Sequence, residues 1–600
     1  MQIELKDKAF GSVISISGLN ITIAVFDEFL ISNLEIDIVK NDGTKKFYIG
    51  TVGDIFLIGG PTTHDAIHYG MFEEVKLVPD EKDLSKNKAL ITAKVIGYQN
   101  AKVTNELKFN RGVGHYPKFN SKCYILSSEE KQQLFSLTAG EGICVGKVPG
   151  IQNEDVNINI EKFLGKHSVI LGSTGSGKSC TVASILQKTL QAHLFSHIIF
   201  FDLHNEYSAA FPTIKTDLYN GNTYNVNKVD ANNFTLPFWF LNFEEFQSIF
   251  LGDIDYAKNG EGIRILREEV IKLKVKSHNL IMDDIGEIER ININSPLHFD
   301  FSDLVIKLKK LNKSTLWKSD GASTYNESTG NYVANSGASK VDRDGTSDQA
   351  LQDPNYYDKL HSVIEKLEST KLDRRYQFLF PESYITSKNI YEYLISLLCL
   401  PKDHIQNQMT ILDLSKIPSE IIPIIIGLLS RICFEYKLWE VDPKKLPLYL
   451  VYEEAHNYIP NDVNAITALS SKYIGRIAKE GRKYGISQLI ISQRPSDLSQ
   501  LIVSQCSNFF ILRVTNPNDQ AFINHVLPDH LSALSNMIPF FQNGECLIAG
   551  ELVTIPTKVI IDRPAPEPNS NDVAYSKTWK KILIDYKVQE TVHKWWEIKE

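Results

Sequence analysis

The sequence predicts an α/β protein whose mainly parallel sheet is preceded by a small β-rich domain and interrupted by a helical insertion. Three observations predict this class. Residues 1–145 alternate apolar and polar positions in short runs, and residues 160–215 and those from about 408 onward alternate apolar strands with helices. The segment between these two α/β parts has mainly helical periodicity. The chain of 600 residues is 43% hydrophobic, which suits about two to four domains with cores of their own.

The first domain, residues 1–145, is predicted to be a small β-barrel. Short alternating runs are separated by Gly and Asn breaks, and this regular spacing is typical of barrels. The runs are "FGSVISISGLNITIAVFDEFLIS", "KKFYIGTVGDIFLIGG" and "NKALITAKVIGYQN".

The α/β core is predicted from a strand–helix–strand unit and from its later continuation. "HSVILG" leads into "KSCTVASILQKTLQAHL" and then "SHIIFFDL", which is the pattern of a βαβ unit. Apolar strands return in "MTILDL", "PLYLVY", "SQLIIS" and "NFFILRV". We therefore expect a core of residues 146–215 and 406–565, a helical insertion at 216–405 and a C-terminal tail at 566–600. Within the insertion, the polar Gly/Ser/Asn-rich stretch near 318–350 is expected to be a flexible surface loop.

Composition narrows the class of protein. The seven cysteines are spread singly without zinc-binding spacing, so they are interpreted as reduced core residues. No run is long and apolar enough to span a membrane, and the start has no signal-peptide pattern, which together predict a cytoplasmic protein with no membrane partner. The net charge of −8 excludes a generally basic surface but not a locally basic channel for nucleic acid.

The segment "GSTGSGKS", residues 172–179, matches the P-loop pattern GxxxxGK[ST]. Its glycines let backbone N–H groups converge on phosphate oxygens at the start of a helix. Lys178 is expected to reach the β- and γ-phosphates and the Ser179 hydroxyl to bind Mg²⁺. The predicted nucleotide-binding residues are Gly172, Ser173, Thr174, Gly175, Ser176, Gly177, Lys178, Ser179 and Cys180.

The stretch "PLYLVYEEAHNYIP", residues 447–460, ends an apolar strand in two acids, Glu453 and Glu454. Carboxylates at the end of a buried strand are costly without a counter-charge. Because a P-loop protein needs an acid at a second strand end for its magnesium shell, Glu453 is predicted to contact the metal. Glu454 is predicted to polarise the attacking water. The alternative is a strand that ends in a solvated acidic loop.

Other polar residues follow predicted strands. Ser492 and Gln493 end "GISQLIIS" and are placed to sense the γ-phosphate, although an ordinary strand exit explains Gln493 equally well. Asp202 and Glu206, in "FFDLHNEYS", are either turn residues, which is the commoner case, or part of the site. His456 is interpreted as a structural histidine.

The basic segment "SSKYIGRIAKEGRKYG", residues 470–485, has three interpretations. A charge run is usually a solvated helix face. Its position between the acids and the next strand also suits an arginine finger that enters a neighbouring subunit, or a surface that faces DNA. Arg482 is the first choice for the finger and Arg476 the second.

Taken together, these segments resemble the HerA family of the HerA/FtsK branch of P-loop motor ATPases. The specific motifs are "EEAHNYIP" and "GRKYGISQLIISQRPS", and "LPFWFLNFEEFQSIF" resembles the start of the family's helical insertion. The resemblance implies a RecA-like P-loop ATPase core with ATP and Mg²⁺ as cofactors, Lys178 and Ser179 as Mg-ATP ligands, Glu454 as catalytic acid, Gln493 as sensor and Arg482 as a finger acting in trans. One departure is Glu453, where the family usually has Asp.

The resemblance further implies a homo-hexameric ring that translocates double-stranded DNA and works with a separate nuclease or other effector. DNA processing and antiphage defence are the roles it suggests. The alternative is a hexameric scaffold that uses ATP as a switch to activate an effector, and a protein-unfolding motor is a weaker third interpretation.

Overall fold

The computed structural model describes most of the chain. The described residues are 9–26, 29–32, 37–41, 46–48, 55–59, 67–79, 87–99, 110–111, 116–126, 142–149, 155–212, 225–230, 233–252, 254–280, 287–313, 315–317, 323–326, 331–334, 350–352, 355–400, 407–442, 444–527, 532–569, 575–580 and 587–596.

The N-terminal strands form a closed barrel, as predicted. In sheet order they run β2-β1-β10-β6-β7-β8, and pairing of β8 with β2 closes the barrel. Its core contains Phe10, Phe56 and Phe72, with the rings of Phe56 and Phe72 stacked at 4.6 Å between centroids. β9 extends this sheet, and β3, β4 and β5 form a separate small sheet. The strands are β1 Ala9–Ser17, β2 Asn20–Val25, β3 Phe29–Ser32, β4 Asp37–Asn41, β5 Lys46–Tyr48, β6 Ile55–Gly59, β7 Ile67–Pro79, β8 Asn87–Gln99, β9 Asn110–Arg111 and β10 Lys122–Ile125.

The core is built on an 11-stranded sheet in the order β12-β11-β25-β24-β23-β13-β22-β21-β14-β20-β15. Strands from β23 to β15 in this order are parallel, and those from β24 to β12 are antiparallel. The predicted mainly parallel sheet is thus confirmed. Its strands are β11 Gly142–Lys147, β12 Asp155–Asn159, β13 Ser168–Leu171, β14 Ile198–Asp202, β15 Val226–Val229, β20 Met409–Asp413, β21 Leu448–Tyr452, β22 Ile486–Ser492, β23 Asn508–Ile511, β24 Glu545–Gly550 and β25 Thr557–Ile561.

Helices cover both faces of this sheet. Alternate residues of each strand face opposite sides. Ile170 and Phe200 pack in the same cluster as the P-loop helix α2 (Lys178–Ala192), whereas Leu171 and Phe201 pack with α8 (Ile422–Trp439) and α9 (Ala468–Glu480). Burial on both faces explains why β13, β14 and β21 are mostly apolar. The helices are α1 Ile160–Leu164, α2 Lys178–Ala192, α3 Phe243–Phe250, α4 Tyr256–Leu280, α5 Phe301–Asn312, α6 His361–Leu372, α7 Asn389–Leu397, α8 Ile422–Trp439, α9 Ala468–Glu480, α10 Gln500–Val503, α11 Pro517–Val526, α12 Ser532–Ser535, α13 Tyr575–Thr578 and α14 Val588–Trp596.

The insertion contains helices α3 to α7, which pack on one another around an aromatic cluster that includes Phe238, Phe250 and Phe301. β11 spans the predicted start of the core at residue 146, and β12 lies within the predicted core. β15 also belongs to the core sheet, although its residues fall in the segment predicted as the insertion. Within the polar stretch near 318–350, the structure describes the short hairpin β17 (Ser323–Asn326) and β18 (Asn331–Ala334), together with the first residue of β19 (Ala350–Gln352), which pairs with β16 (Thr315–Trp317). The rest of that predicted loop lies outside the described residues.

Candidate nucleotide site

The P-loop connects β13 to α2 at the carboxyl edge of the parallel strands. Gly175 and Gly177 have φ values of 72° and 96°, in the left-handed region that glycine tolerates best. A Cβ on Gly172 would lie 2.6 Å from the Ser176 hydroxyl oxygen and 2.9 Å from Leu512 Cβ. The loop is therefore a tight backbone turn that requires glycine, as a phosphate cradle does.

Lys178, the first residue of α2, is a buried cation. It is 9% exposed, and its ammonium group forms no hydrogen bond or ion pair with the described residues. Burial lowers its pKa, while the carboxylates of Glu454, Glu453 and Glu206 oppose that shift from a longer distance. A buried ammonium without a direct partner is costly, so this arrangement suits an anionic ligand in the loop.

The two acids after β21 point in different directions. Glu454 has a left-handed backbone, with φ 44° and ψ 46°, which is unusual for a residue with a side chain and is typical of functional sites. Its carboxylate accepts the backbone N–H of Gln493, and the Lys178 charge partly offsets the rise in its pKa that burial causes. Glu454 Oε2 is buried, lies 3.3 Å from His456 Nδ1 and hydrogen-bonds to no described residue. Glu454 therefore has an oxygen free to accept a proton from a bound molecule.

Glu453 points toward β14 instead. Its Oε2 accepts the backbone N–H of Leu203 at 2.9 Å, and its carboxyl group hydrogen-bonds to Asp202. Burial raises its pKa well above the usual range, and the neighbouring Asp202 carboxylate adds to that rise. The sequence predicted Glu453 as a metal ligand, and the structure finds this carboxyl group engaged within the protein.

Glu206, treated in the sequence as a turn or site residue, contacts the P-loop helix directly. The Ser179 hydroxyl donates to Glu206 Oε2 at 2.6 Å, and it also lies within hydrogen-bonding reach of the buried Tyr207 phenol. Asp202 organises this loop because its carboxylate accepts the backbone N–H groups of His204, Glu206 and Tyr207.

Gln493, at the end of β22, reaches the tip of the P-loop. The Thr174 hydroxyl donates to Gln493 Oε1 at 2.6 Å. The preceding Ser492 has its hydroxyl 3.2 Å from His456 Nδ1, and burial lowers the pKa of His456 to about 4. A neutral His456 that contacts Ser492 fits the structural role expected for it. The structure thus places Gln493 beside the P-loop and beside the Glu454 carboxylate.

Arg482 lies away from the P-loop of its own chain. It is exposed, in the short 3₁₀ turn Gly481–Tyr484 that precedes β22. The length of β22 separates it from Gln493, roughly 20 Å at 3.3 Å per residue. Arg476 is partly engaged, with its guanidinium carbon 4.4 Å from the Phe434 ring centroid and Nε 3.5 Å from a Glu480 oxygen. Arg482 therefore cannot reach this site from within the same chain.

Arg513 is a site-lining residue that the sequence reasoning missed. It follows β23, beside β13, and its carbonyl oxygen accepts the Ser173 N–H at 2.9 Å. The sequence signal was a basic residue at the end of the apolar run "NFFIL".

The residues present suit a magnesium–nucleotide complex. Mg²⁺ usually keeps several waters and is held by one or two carboxylates together with substrate phosphates. Among the residues that the structure describes, no group of three or more His, Cys, Asp or Glu side chains could hold a metal by itself. The buried Ser176 hydroxyl makes no hydrogen bond to any residue that the structure describes. Together with the Ser179 hydroxyl and the nearby carboxylates, it matches a site that the triphosphate completes.

The sheet order and the P-loop define a protein with a RecA-like P-loop ATPase core. Residues 143–433 match the family described as Helicase HerA, central domain, which confirms the predicted resemblance to HerA proteins. The sequence is 25% identical over 589 residues to the DNA double-strand break repair helicase HerA of Sulfolobus acidocaldarius, covering 98% of this chain and 99% of that one. It is 36% identical over 119 residues, 19% of this chain and 20% of the relative, to HerA of Pyrococcus furiosus.

Among solved structures, the comparison finds VirB4 of Thermoanaerobacter pseudethanolicus, with a TM-score of 0.45 and 13% identity over 72% of this chain and 99% of that chain. The bacterial conjugative coupling protein TrwB has a TM-score of 0.42 and 12% identity over 73% of this chain and 92% of its own. In the described part of the chain, we find no helix with the length and apolar character that crossing a membrane requires.

Proposed function

We propose that this protein is an ATP-driven double-stranded DNA translocase that works as a homo-hexameric ring. The observation that carries the proposal is the buried Lys178, whose ammonium group has no direct partner among the described residues. It lies in a P-loop that requires glycine and that is close to Glu454 and Gln493. The names of its relatives, DNA double-strand break repair helicases, support DNA as the substrate and favour DNA processing over antiphage defence.

The proposed roles follow from the position of each group. Lys178 and the P-loop N–H groups bind the phosphates of ATP, and Ser179 contributes a hydroxyl to the accompanying Mg²⁺, which neutralises charge on the phosphates. Glu454, with its free buried oxygen, orients and deprotonates the attacking water. Gln493 links the P-loop tip to β22, so it is placed to report loss of the γ-phosphate.

A neighbouring subunit completes the site in this proposal. Arg482 lies on the opposite edge of the sheet from its own P-loop, which suits a finger that enters the next subunit of a ring. Double-stranded DNA would pass through the ring, with binding that is mainly to phosphates and weakens with salt. A separate nuclease or other effector would perform any cutting.

The test is ATP turnover by the full chain with and without duplex DNA. We expect duplex DNA to stimulate turnover, and we expect Lys178→Ala to abolish both basal and stimulated turnover. Glu244→Gln, a change in an exposed ion pair with Lys472, is the folding control and should behave as wild type. If duplex DNA leaves ATP turnover unchanged and only a partner protein stimulates it, the result would instead support the ATP-switched scaffold. Wild-type turnover in Lys178→Ala would refute the assigned site.

A further inference from the structure

Glu206 and Glu453 are the two candidates for the carboxylate that contacts the metal ion, and their contacts differ. Glu206 contacts the P-loop serine directly, since the Ser179 hydroxyl donates to its Oε2 at 2.6 Å. Glu453, which the family pattern favours, hydrogen-bonds to Asp202 and accepts the Leu203 N–H. A cation held at the Ser179 oxygen would therefore find the Glu206 carboxylate at the same hydroxyl.

The Glu206 backbone is held in place from two sides. Its backbone N–H donates to Asp202 Oδ1 at 3.2 Å, and its carbonyl oxygen accepts the N–H of Asn569 at 2.8 Å. The Asn569 segment is in turn fastened to α2, because the Gln187 amide bonds to the Pro566 carbonyl oxygen and to the Ala565 N–H. This support fixes the loop relative to the helix that carries Ser179, and rigid support is what a metal site requires.

Glu453 supplies part of the same support from β21. It bridges the end of β21 to the end of β14 through Leu203 and Asp202, and Asp202 then orders the backbone of Glu206 and Tyr207. A metal-binding Glu453 carboxyl group would have to leave this network or share it with the ion. The contacts therefore assign Glu453 a positioning role.

Resting on the proposed Mg-ATP site, we propose that Glu206 supplies the protein carboxylate of the metal shell and that Glu453 is a positioning residue that orders the Glu206 loop. The ligand class is a divalent cation bound to a nucleoside triphosphate. The cation would be held by the Ser179 hydroxyl, the Glu206 carboxylate and the phosphates, with water completing its shell.

The experiment measures binding and not turnover. The affinity of a fluorescent, non-hydrolysable ATP analogue is determined for the full chain with Mg²⁺ and with chelator, and Mn²⁺ binding to the protein–nucleotide complex is followed by electron paramagnetic resonance. In wild type, metal should raise the affinity for the analogue. Glu206→Gln should lose about tenfold or more of that metal-dependent gain while keeping its affinity in chelator.

The Glu453 variants separate a ligand from a positioning group. In Glu453→Gln the amide can still donate to Asp202 and accept the Leu203 N–H, so the metal-dependent gain should remain. Glu453→Ala loses both contacts, and its gain should fall. Glu244→Gln serves as the matched surface control.

The assignment is overturned if Glu206→Gln keeps the full metal-dependent gain or if Glu453→Gln loses it. Failure of the proposed function is distinguishable, because wild type would then bind no analogue under either condition. Restoration of Mn²⁺ binding in Glu206→Asp, relative to Glu206→Gln, would further support a carboxylate ligand at this position.

Discussion

Arg431 of α8 and Glu245 of α3 form a buried ion pair that joins the helical insertion to the core. The Arg431 side chain is 7% exposed and that of Glu245 is fully buried. Arg431 Nε and Nη2 bond to the two Glu245 oxygens at 2.6 and 2.9 Å, and Nη2 also donates to the Phe240 carbonyl oxygen at 2.7 Å. We predict that Arg431→Met uncouples α3 from the core.

The magnitude follows from what the substitution leaves behind. Glu245 would keep its bond from the Asn242 N–H but would lose its counter-charge in a fully buried position. Breaking a buried pair from one side costs about 3–5 kcal/mol. The exposed pair Arg264–Glu268, 57% and 45% exposed, is the matched control, and Arg264→Met should cost about 0–1 kcal/mol. Replacing both buried partners, as in Arg431→Met with Glu245→Met, should recover most of the loss because no buried charge remains unpaired; Glu435, which also pairs with Arg431, is 45% exposed.

The penalty should also depend on pH. Burial raises the pKa of Glu245 and Arg431 opposes that rise, so removing Arg431 raises the pKa further. Protonation then neutralises the orphaned carboxyl group as the pH falls. We therefore expect Arg431→Met to be less destabilising, relative to wild type, at acid pH than at neutral pH.

Hydrogen exchange measured by mass spectrometry resolves this effect by segment. Peptides that cover α3 and α8 should show opening free energies lower by about 3–5 kcal/mol in Arg431→Met, while peptides of the barrel strands β1 and β2 should exchange as in wild type. Equal exchange in Arg431→Met and Arg264→Met would refute the reasoning, and so would a double variant no more stable than Arg431→Met.

Three further predictions concern turnover and stability. Glu454→Gln should bind ATP as wild type while its turnover falls about a hundredfold or more; an equal loss of binding by fluorescence titration would contradict a water-activating role. Arg482→Ala should lower turnover about a thousandfold or more with ATP affinity unchanged, and in rings mixed with wild type it should also inactivate the neighbouring wild-type sites. Arg476→Ala should have neither effect. A loss of activity proportional to the fraction of Arg482→Ala subunits would contradict action in trans. Lys274 is buried in α4 with a pKa of about 7, lowered by burial from 10.5. Between these two pH values the unfolded chain therefore binds more protons than the folded chain, so the free energy of unfolding should rise by about 1 kcal/mol per pH unit above pH 7. Urea denaturation at several pH values measures this dependence; the same pH dependence in Lys274→Met as in wild type would contradict the interpretation.

The sequence was sufficient for the elements with strong periodicity or a strict motif. The βαβ unit around the P-loop was predictable because burial on both faces makes β13 and β14 continuous apolar runs. The barrel was predictable because one face of each strand is buried and alternation results. The assignment of β15, Val226–Val229, to the core sheet was not predictable, since a four-residue strand carries little signal and its partner β20 lies far along the chain.

The residue types of the site were predictable from the sequence, but the directions in which their side chains point were less so. Gln493 and Glu454 lie at the P-loop because parallel strands place their carboxyl ends at one edge of a sheet. Which of two adjacent acids faces the loop depends on the backbone between them, and the left-handed φ of 44° at Glu454 has no reliable sequence signal. The contact of Glu206 with Ser179 depends in the same way on a turn that Asp202 orders.

The presence of Glu rather than Asp at position 453 has a physical explanation in this arrangement. β21 lies beside β14 in the sheet, and the extra methylene lets the Glu453 carboxyl group reach Asp202 and the Leu203 N–H at the end of the neighbouring strand. An Asp at that position would be shorter and would leave the Leu203 N–H without this acceptor. If Glu453 positions the Glu206 loop, Glu453→Asp should weaken metal-dependent nucleotide binding, although it restores the usual family residue. If Glu453 binds the metal itself, the same substitution should preserve or strengthen that binding, so one conservative change separates the two roles.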